Sequence, residues 1–212
     1  MAAPGRLLAL EGIDGSGKTT QARALATALG ARLTHEPGAT PLGLALRQLL
    51  LSPEAPPISL RAEALLMAAD RAEHVTQVVG PALAAGEWVV SDRFSGSTLA
   101  YQGYGRGLNT AQLGRLVEWA AAGLAPDLSI LVDVPVELAQ HRLATTAPDR
   151  LERLGPAFAH LVREGFLALA AADPAHWVVV DGTTDRAALS AHILAIVHER
   201  VGGRTGRTGP GA

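Results

Sequence analysis

The stretch RLLALEGIDGSGKTTQARALATALG, residues 6–30, decides the fold of this chain. Its first six residues form a short apolar run that is typical of a buried strand, and the glycine-rich GIDGSG that follows predicts a loop. From Lys18 onward the apolar positions recur at helical spacing, and Gly30 is suited to end the helix. The stretch therefore predicts a strand, a glycine loop and a helix, in that order.

The loop matches the pattern G-x-x-x-x-G-K-[ST], which is specific when it follows a strand and opens a helix. In such a loop, backbone N–H groups and the helix N-terminus bind a polyphosphate, while the lysine contacts its terminal phosphates and the last hydroxyl coordinates Mg²⁺. Lys18 is the single lysine among 18 basic residues, and its compact ammonium fits a phosphate nest better than a planar guanidinium would. The alternative, a glycine turn with an incidental lysine, fits this context poorly. The loop residues are Gly12, Ile13, Asp14, Gly15, Ser16, Gly17, Lys18 and Thr19, followed by Thr20 on the helix.

The rest of the chain alternates between apolar runs and helical patterns. Runs at residues 88–91, 128–134 and 177–180 predict three more buried strands, and a weaker run lies at 32–35. Continuous apolar strands need cover on both faces, so the alternation predicts a parallel sheet between two helix layers, with function at the carboxyl ends of the strands. The helical patterns cover residues 41–51, 60–85, 110–122, 136–143, 156–171 and 186–201.

Length and composition exclude several classes of protein. A chain of 212 residues with 48% apolar residues favours one folded domain, which we place at residues 1–201, with a disordered glycine-rich tail at 202–212. No apolar run reaches the roughly 18 residues that cross a bilayer, and the run after Arg6 is too short for a signal peptide, so we expect a cytoplasmic protein with no membrane partner. The net charge of −2 gives no general attraction to nucleic acid. The absence of cysteine excludes disulfides and Cys-ligated zinc, and the seven histidines lack metal-ligand spacing.

A phosphate loop needs a carboxylate near its metal ion, and two aspartates follow apolar runs. Asp92 would be delivered beside Thr19, whereas Asp133 is followed almost at once by Pro135, so we favour Asp92. Arg93 would place a guanidinium at the same sheet edge, where it suits a phosphate group. The Asp92 and Arg93 pair could also be a salt bridge in a surface turn.

Met67 and Arg71 stand four residues apart in a helical pattern and so share a face. Taken alone, they are more simply explained as a core methionine beside a surface arginine. Residues 97–103 offer hydroxyl, phenol and amide groups that suit a ring with hydrogen-bonding edges, although without context they predict only a polar turn.

Three arginines, Arg142, Arg150 and Arg153, surround an irregular stretch at residues 145–149. A mobile loop that carries arginines could close on transferring phosphates. An exposed charged helix explains them equally well.

The motifs taken together, in their order, resemble the bacterial type of the thymidylate kinase family from residue 8 to about residue 194. The resemblance implies an α/β, three-layer P-loop nucleoside monophosphate kinase fold with a five-stranded parallel sheet, usually a homodimer. It also implies ATP-dependent phosphorylation of dTMP to dTDP with Mg²⁺. The matching segments are LEGIDGSGKTTQA (10–22), HEPGAT (35–40), LRQLLL (46–51), LLMAADRAEHV (65–75), SDRF (91–94), STLAYQGYGRGL (97–108), PDLSILVDV (126–134), DRLE (149–152) and VREGF (162–166).

The resemblance further implies a role for each matching residue. ATP would bind at residues 12–20, and a short lid at residues 142–153 would carry Arg142, Arg150 and Arg153, with Arg150 as the candidate catalytic arginine. The other catalytic candidates are Lys18, Arg93 and Asp92, and the metal would lie on Thr19 and Asp92. The dTMP site would comprise Asp14, Arg47, Met67, Arg71, Arg93, Thr98, Tyr101 and Gln102, with Tyr101 against the sugar face that a ribose 2′-hydroxyl would crowd. The family usually has phenylalanine where Met67 stands, although a thioether can also contact an aromatic base.

Two other functions remain open from the sequence. Another P-loop nucleoside or nucleotide kinase would share the ATP site and differ in the pocket around Met67, Arg71 and Tyr101. A nucleotide-switched binding protein would hydrolyse ATP slowly and move a partner surface. A purely structural role leaves Lys18 and its loop unexplained.

Overall fold

The computed structural model describes residues 5–145 and 147–202. The described residues form five strands: β1 (Leu7–Glu11), β2 (Arg32–His35), β3 (Val89–Asp92), β4 (Leu128–Asp133) and β5 (Trp177–Asp181). The α-helices among them are α1 (Lys18–Leu29), α2 (Pro41–Leu51), α3 (Leu60–His74), α4 (Gly80–Ala84), α5 (Ser95–Thr98), α6 (Thr110–Ala120), α7 (Val136–Leu143), α8 (Gly155–Ala172) and α9 (Arg186–Arg200).

The five strands form one parallel sheet in the order β2-β3-β1-β4-β5. Leu10 of β1 pairs with Asp92 of β3, and Asp92 pairs with His35 of β2. This register brings the ends of the three strands to the same edge, so the glycine loop after β1 faces the residues that follow β2 and β3. The predicted five-stranded parallel sheet between helices is confirmed.

The central strand β1 is buried along its whole length because helices cover both of its faces. Leu8 and Leu10 belong to an apolar cluster with α1 and α9, whereas Leu7 and Ala9 belong to a second cluster on the opposite face with Val79. A strand that is covered on both sides must be continuously apolar, which explains why β1 shows no alternation of apolar and polar residues.

Two segments differ from their prediction. The helix predicted at residues 60–85 is helical throughout, but a π-helical segment, Val75–Val79, separates α3 from α4. Pro81 has no N–H to donate to the carbonyl of Gln77, so the regular hydrogen-bond ladder is interrupted there. The interpretation of residues 97–103 as a polar turn is wrong, because α5 continues into a second π-helical segment, Leu99–Gly105.

Parts of the predicted tail and lid lie outside the residues that the structure describes. Most of the tail predicted at residues 202–212 lies outside the described residues, as does position 146 of the lid. None of the described helices combines the length and the apolar character that a membrane span requires.

Candidate active site

The glycine loop wraps tightly between the end of β1 and the start of α1. Gly12 and Gly15 have φ values of 144° and 80°, in a region that side chains rarely adopt. A Cβ atom on Gly15 would lie 2.4 Å from the carbonyl oxygen of Ala139, and one on Gly12 would lie 2.7 Å from that of Val132. The predicted strand, glycine loop and helix are confirmed, and the two glycines are required by the close approach of neighbouring backbone.

Lys18 is buried, and its ammonium lies against the loop. Nζ donates hydrogen bonds to the carbonyl of Ile13 at 3.3 Å and to Asp14 at 3.2 Å. Burial and the nearby charge of Arg93 lower the pKa of Lys18, and Asp14 and Asp92 oppose that shift. The single lysine of the chain therefore sits where the loop would receive the terminal phosphates of a nucleotide.

Asp92 lies beside the first turn of α1. Its Oδ2 accepts a hydrogen bond of 2.5 Å from the Thr19 hydroxyl, and its Oδ1 is buried without a hydrogen-bond partner in the described part of the chain. Asp133, the alternative from the sequence, is held by Arg163 through two contacts of 2.7 Å. An unpartnered carboxylate oxygen next to a hydroxyl is a donor set that Mg²⁺ prefers, so these residues fit the ion; their metal role stays a prediction.

Arg93 follows β3 with a φ of 72°, one of two non-glycine residues with a positive φ among those described. Its NH1 donates to the Gly12 carbonyl and to Ser97, both at 2.9 Å, and its NH2 donates to Asp14 at 2.6 Å and to Tyr101 at 2.9 Å. Since a guanidinium has five N–H donors, the contacts among the described residues leave only the Nε–H for a further acceptor. A phosphate would bind there or displace one of these partners.

Asp14 joins the loop to the helical segment that carries Tyr101. The Tyr101 hydroxyl donates to Asp14 Oδ2 at 2.8 Å. Burial opposes ionisation of Asp14, but Arg93 and Lys18 hold its pKa well below the usual range. Burial also raises the pKa of the Tyr101 phenol well above 10. Asp14 is therefore a carboxylate between two cations, and Tyr101 is a protonated donor fixed by it.

A cavity beside the loop brings together all eight residues that the resemblance assigned to the acceptor nucleotide. A second cavity, lined by Lys18, Thr19 and Asp92, adjoins it. Asp14, Glu36, Arg47 and Arg93 line both cavities, so the phosphate-loop side adjoins the acceptor side. The residues of the first cavity are Asp14, Glu36, Pro37, Arg47, Leu51, Met67, Asp70, Arg71, Arg93, Phe94, Ser97, Thr98, Tyr101, Gln102, Asp149 and Leu151.

Arg71 is buried in this cavity wall, so its interpretation as a surface arginine is wrong. Glu36 Oε2 accepts from Arg71 Nε at 3.0 Å and from NH2 at 2.8 Å. Arg71 also donates to the Thr98 hydroxyl and to the Phe94 carbonyl, each at 3.0 Å. Within the described part of the chain, four of its five N–H donors are thus engaged, and a single NH1 hydrogen remains.

Glu36 and His74 were missed by the sequence reasoning. His74 is fully buried, with Nδ1 2.8 Å from Glu36 Oε1 and Nε2 2.6 Å from the Thr34 hydroxyl. The motifs HEPGAT and ADRAEH contain both residues, but nothing in either motif indicated that they pair. Asp70 lies in the same region and forms no ion pair with Arg71 among the contacts of the described residues. Burial raises the pKa of Asp70 to about 6, and the nearby charge of Glu36 adds to that shift.

The structure separates the three lid arginines. Arg142 donates to the loop carbonyls of Gly15 and Ser16, both at 3.3 Å, and to Gly182 at 3.1 Å. Arg150 instead faces the acceptor side, where it donates to the Leu50 carbonyl at 2.7 Å and to Glu63 at 2.8 Å. Arg153 is exposed. The structure therefore brings Arg142, but not Arg150, to the phosphate loop.

Comparison with known proteins assigns the chain to a family. The family model described as thymidylate kinase matches residues 10–193. A thymidylate kinase of Synechococcus sp. (strain CC9902) is 48% identical over 88% of this chain and 93% of its own length. One from Cupriavidus pinatubonensis is 45% identical over 91% of this chain and 98% of its own. The crystal structure of thymidylate kinase from Ehrlichia chaffeensis superposes with a TM-score of 0.76 at 29% identity, covering 92% of this chain and 99% of that one. With its phosphate loop, its acceptor cavity and these relatives, the chain belongs to the thymidylate kinase family.

Proposed function

We propose that this protein transfers the γ-phosphoryl group of ATP to dTMP, giving ADP and dTDP. The observation that carries the proposal is the junction of two cavities, one at the phosphate loop and one lined by all eight acceptor residues, through Asp14, Arg47 and Arg93. A donor phosphate at Lys18 and an acceptor phosphate near Arg47 would then meet in one space, as in-line transfer requires.

Catalysis in this site rests on position and charge. The second pKa of a phosphate monoester is about 6, so the acceptor oxygen is already largely anionic at neutral pH and needs no general base. Lys18 and Arg93 both donate to Asp14 Oδ1, so the two cations lie close together and would both contact the transferring group. Arg47 donates to the Pro37 carbonyl at 3.0 Å and lines both cavities, which suits it to hold the acceptor phosphate.

Thr19 and Asp92 would hold Mg²⁺ in this reaction, supported by the unpartnered Oδ1 of Asp92. When bound, the ion neutralises charge on the β and γ phosphates. Asp92 is itself held by the Thr19 hydroxyl, so the two groups are oriented together before any nucleotide binds.

An arginine of the lid would complete the positive charge around the transferring group. We keep Arg150 as the catalytic candidate, because its pairing with Glu63 can be exchanged for a phosphate when the lid moves. Arg150→Ala should then lower turnover more than it raises the KM for dTMP. A rise in KM alone would instead place the catalytic role on Arg142, which already contacts the loop, or on Arg153.

We also propose that residues 1–201 form a single domain, with its lid at residues 142–153. The protein would form a homodimer and work in the cytoplasm, where ATP is available. Exposed apolar side chains support the dimer: Leu44 on α2, Leu65 on α3 and Trp119 on α6, the last being 80% exposed. These three helices pack side by side, in the order α2-α3-α6. Trp119→Glu should therefore shift the mass measured by sedimentation toward the monomer.

The test of the proposed function is a nucleotide panel. Purified protein with Mg²⁺ and ATP is given each nucleoside monophosphate and each nucleoside in turn, and both ADP and the phosphorylated product are measured. Efficient formation of dTDP supports the proposal, whereas a preference for another acceptor would indicate a different P-loop kinase. ADP without a phosphorylated acceptor would indicate a nucleotide-switched binding protein.

A further inference from the structure

Glu63 of α3 is fully buried, and the mechanism above does not use it. Its Oε1 accepts hydrogen bonds from Gln102 Nε2 at 3.0 Å and from Arg106 Nε at 3.2 Å. Its Oε2 accepts from Arg106 NH2 and from Arg150 NH2, both at 2.8 Å. One buried carboxylate thus joins the acceptor cavity, through Gln102, to the lid, through Arg150.

The chemistry of Glu63 fixes which way the Gln102 amide points. Burial opposes ionisation, but the N–H groups of Arg106 and Gln102 outweigh it and hold the pKa of Glu63 below its usual value. An ionised carboxylate accepts hydrogen bonds and donates none. Gln102 must therefore present its NH₂ group to Glu63, which leaves its carbonyl oxygen, Oε1, for the other side.

That other side is the acceptor cavity, which Gln102 lines. Among the described residues no donor reaches Gln102 Oε1. The wall of this one cavity therefore offers an acceptor from Gln102 and, from Arg71, the one N–H donor that no described residue engages. This pair complements the carbonyl at position 4 and the N3–H of thymine or uracil, and it mismatches the 4-amino group and bare N3 of cytosine.

We propose that Glu63 is a positioning residue that sets the base specificity of the enzyme by holding the Gln102 amide with its oxygen toward the base. This inference rests on the proposed function, since it concerns the acceptor of the same reaction. Glu63 does not touch the base and acts only through Gln102. The guanidiniums of Arg106 and Arg150 on Oε2 keep Glu63 charged. A charged carboxylate has no hydrogen to donate, so it cannot pair with Gln102 if the amide oxygen of Gln102 faces it.

The variant Glu63→Gln tests this directly. Two donors converge on each oxygen of Glu63, but both donors on Oε2, at 2.8 Å, lie closer than Arg106 Nε does to Oε1, at 3.2 Å. The oxygen of the new amide is therefore expected to face Arg106 NH2 and Arg150, and its NH₂ group would face Gln102 at the expense of the longer Arg106 Nε contact. Gln102 would then turn over and present its own NH₂ group to the base. The readout is the ratio of kcat/KM for dTMP to that for 5-methyl-dCMP, which keeps the thymine methyl group and differs at position 4 and N3.

We expect the wild-type enzyme to prefer dTMP strongly. Glu63→Gln should lower the ratio of kcat/KM for dTMP to that for 5-methyl-dCMP on the order of tenfold. The change should come from the KM values of the two monophosphates, while the KM for ATP stays unchanged. Because both substrates are measured on one preparation, the ratio does not depend on the fraction of folded protein. Glu63→Asp keeps the charge against the arginines but withdraws the carboxylate from Gln102. It should also lower the ratio, and it carries the test if Glu63→Gln fails to fold.

A double-mutant cycle separates this role from a merely structural one. Gln102→Leu removes the amide, so adding Glu63→Gln to it should not change the ratio further. The inference is overturned if wild type phosphorylates dTMP but both Glu63 variants keep the wild-type ratio. It is also overturned if Glu63→Gln lowers the ratio as much in the Gln102→Leu background as it does in the wild-type background. If wild type does not phosphorylate dTMP at all, the proposed function fails first and the inference fails with it.

Discussion

Replacing Arg93 by alanine and by glycine should give two enzymes that are equally impaired in turnover but differ in stability. The backbone of Arg93 has a φ of 72°, a conformation that costs a residue with a Cβ atom about 1–2 kcal/mol. Glycine removes that cost but adds about 0.4–1 kcal/mol of unfolded-chain entropy. Arg93→Gly should thus be more stable than Arg93→Ala by about 0.5–1 kcal/mol, or roughly 1–4 °C in Tm.

Both variants lose the same side-chain contacts. The guanidinium donates four hydrogen bonds and pairs with Asp14, which keeps only Lys18 as a cationic partner after the truncation. Because about a third of the Asp14 side chain is exposed (31%), we expect a loss of stability of about 2–3 kcal/mol, at or below the range of about 3–5 kcal/mol for breaking a fully buried pair. Turnover should fall on the order of 10²-fold in both, since a preorganised charge donor is lost.

The assay combines thermal unfolding with ADP release at saturating ATP and dTMP. Ala122→Gly is the matched control, because Ala122 is the other described non-glycine residue with a positive φ, at 50°, and lies in the turn after α6. It should gain a similar stability with turnover unchanged. The reasoning is refuted if Arg93→Ala keeps wild-type turnover, or if Ala122→Gly is stabilised while Arg93→Gly is no more stable than Arg93→Ala.

Three further predictions follow from the site. Lys18→Ala should lose on the order of 10²-fold or more in turnover by ADP release, and a near-normal rate would contradict its role at the phosphates. Asp92→Asn should raise the Mg²⁺ concentration for half-maximal activity about tenfold, and an unchanged Mg²⁺ titration would remove Asp92 from the metal site. Burial raises the pKa of Glu11 from 4.5 to about 7, so the folded protein holds this proton more tightly than the unfolded chain does. The stability that results is at most about 3 kcal/mol. It is fully present below pH 4.5 and is lost as the pH rises toward 7. Urea unfolding at pH 5, 6, 7 and 8 should show this loss reduced in Glu11→Gln, and equal slopes in the two proteins would contradict it.

Features set by neighbouring residues could be predicted from the sequence. The helix at residues 41–51 has the predicted ends because Thr40 caps it, accepting from the Gly43 N–H, and Pro41 occupies its first position. The glycine loop was equally predictable, since strand, loop and helix are consecutive. The choice of Asp92 over Asp133 rested on a local pattern, and the structure does place Asp92 beside Thr19.

Features set by distant residues could not be predicted. Arg71 is buried only because Glu36, 35 positions away, neutralises its charge, and no spacing rule links the two. Glu63 shows the same difficulty: its partners Gln102, Arg106 and Arg150 come from two other parts of the chain. The helical pattern at residues 60–85 gave no indication of this cluster, because sequence periodicity predicts which positions are buried but not which polar groups compensate a buried charge.

The strand order has an evolutionary consequence. With the phosphate loop on the central strand β1, the residues proposed to bind the acceptor, other than Asp14, fall in one continuous segment, from Arg47 to Gln102. Arg142 and Gly182 lie beside the other half of the sheet. Selection could therefore change the preferred acceptor by altering that segment, apart from Asp92 and Arg93, without altering the proposed ATP residues of the phosphate loop. A chimaera that receives residues 36–106 from a relative with a different preference, but keeps its own Asp92 and Arg93, should inherit the relative's acceptor and keep its own phosphate donor.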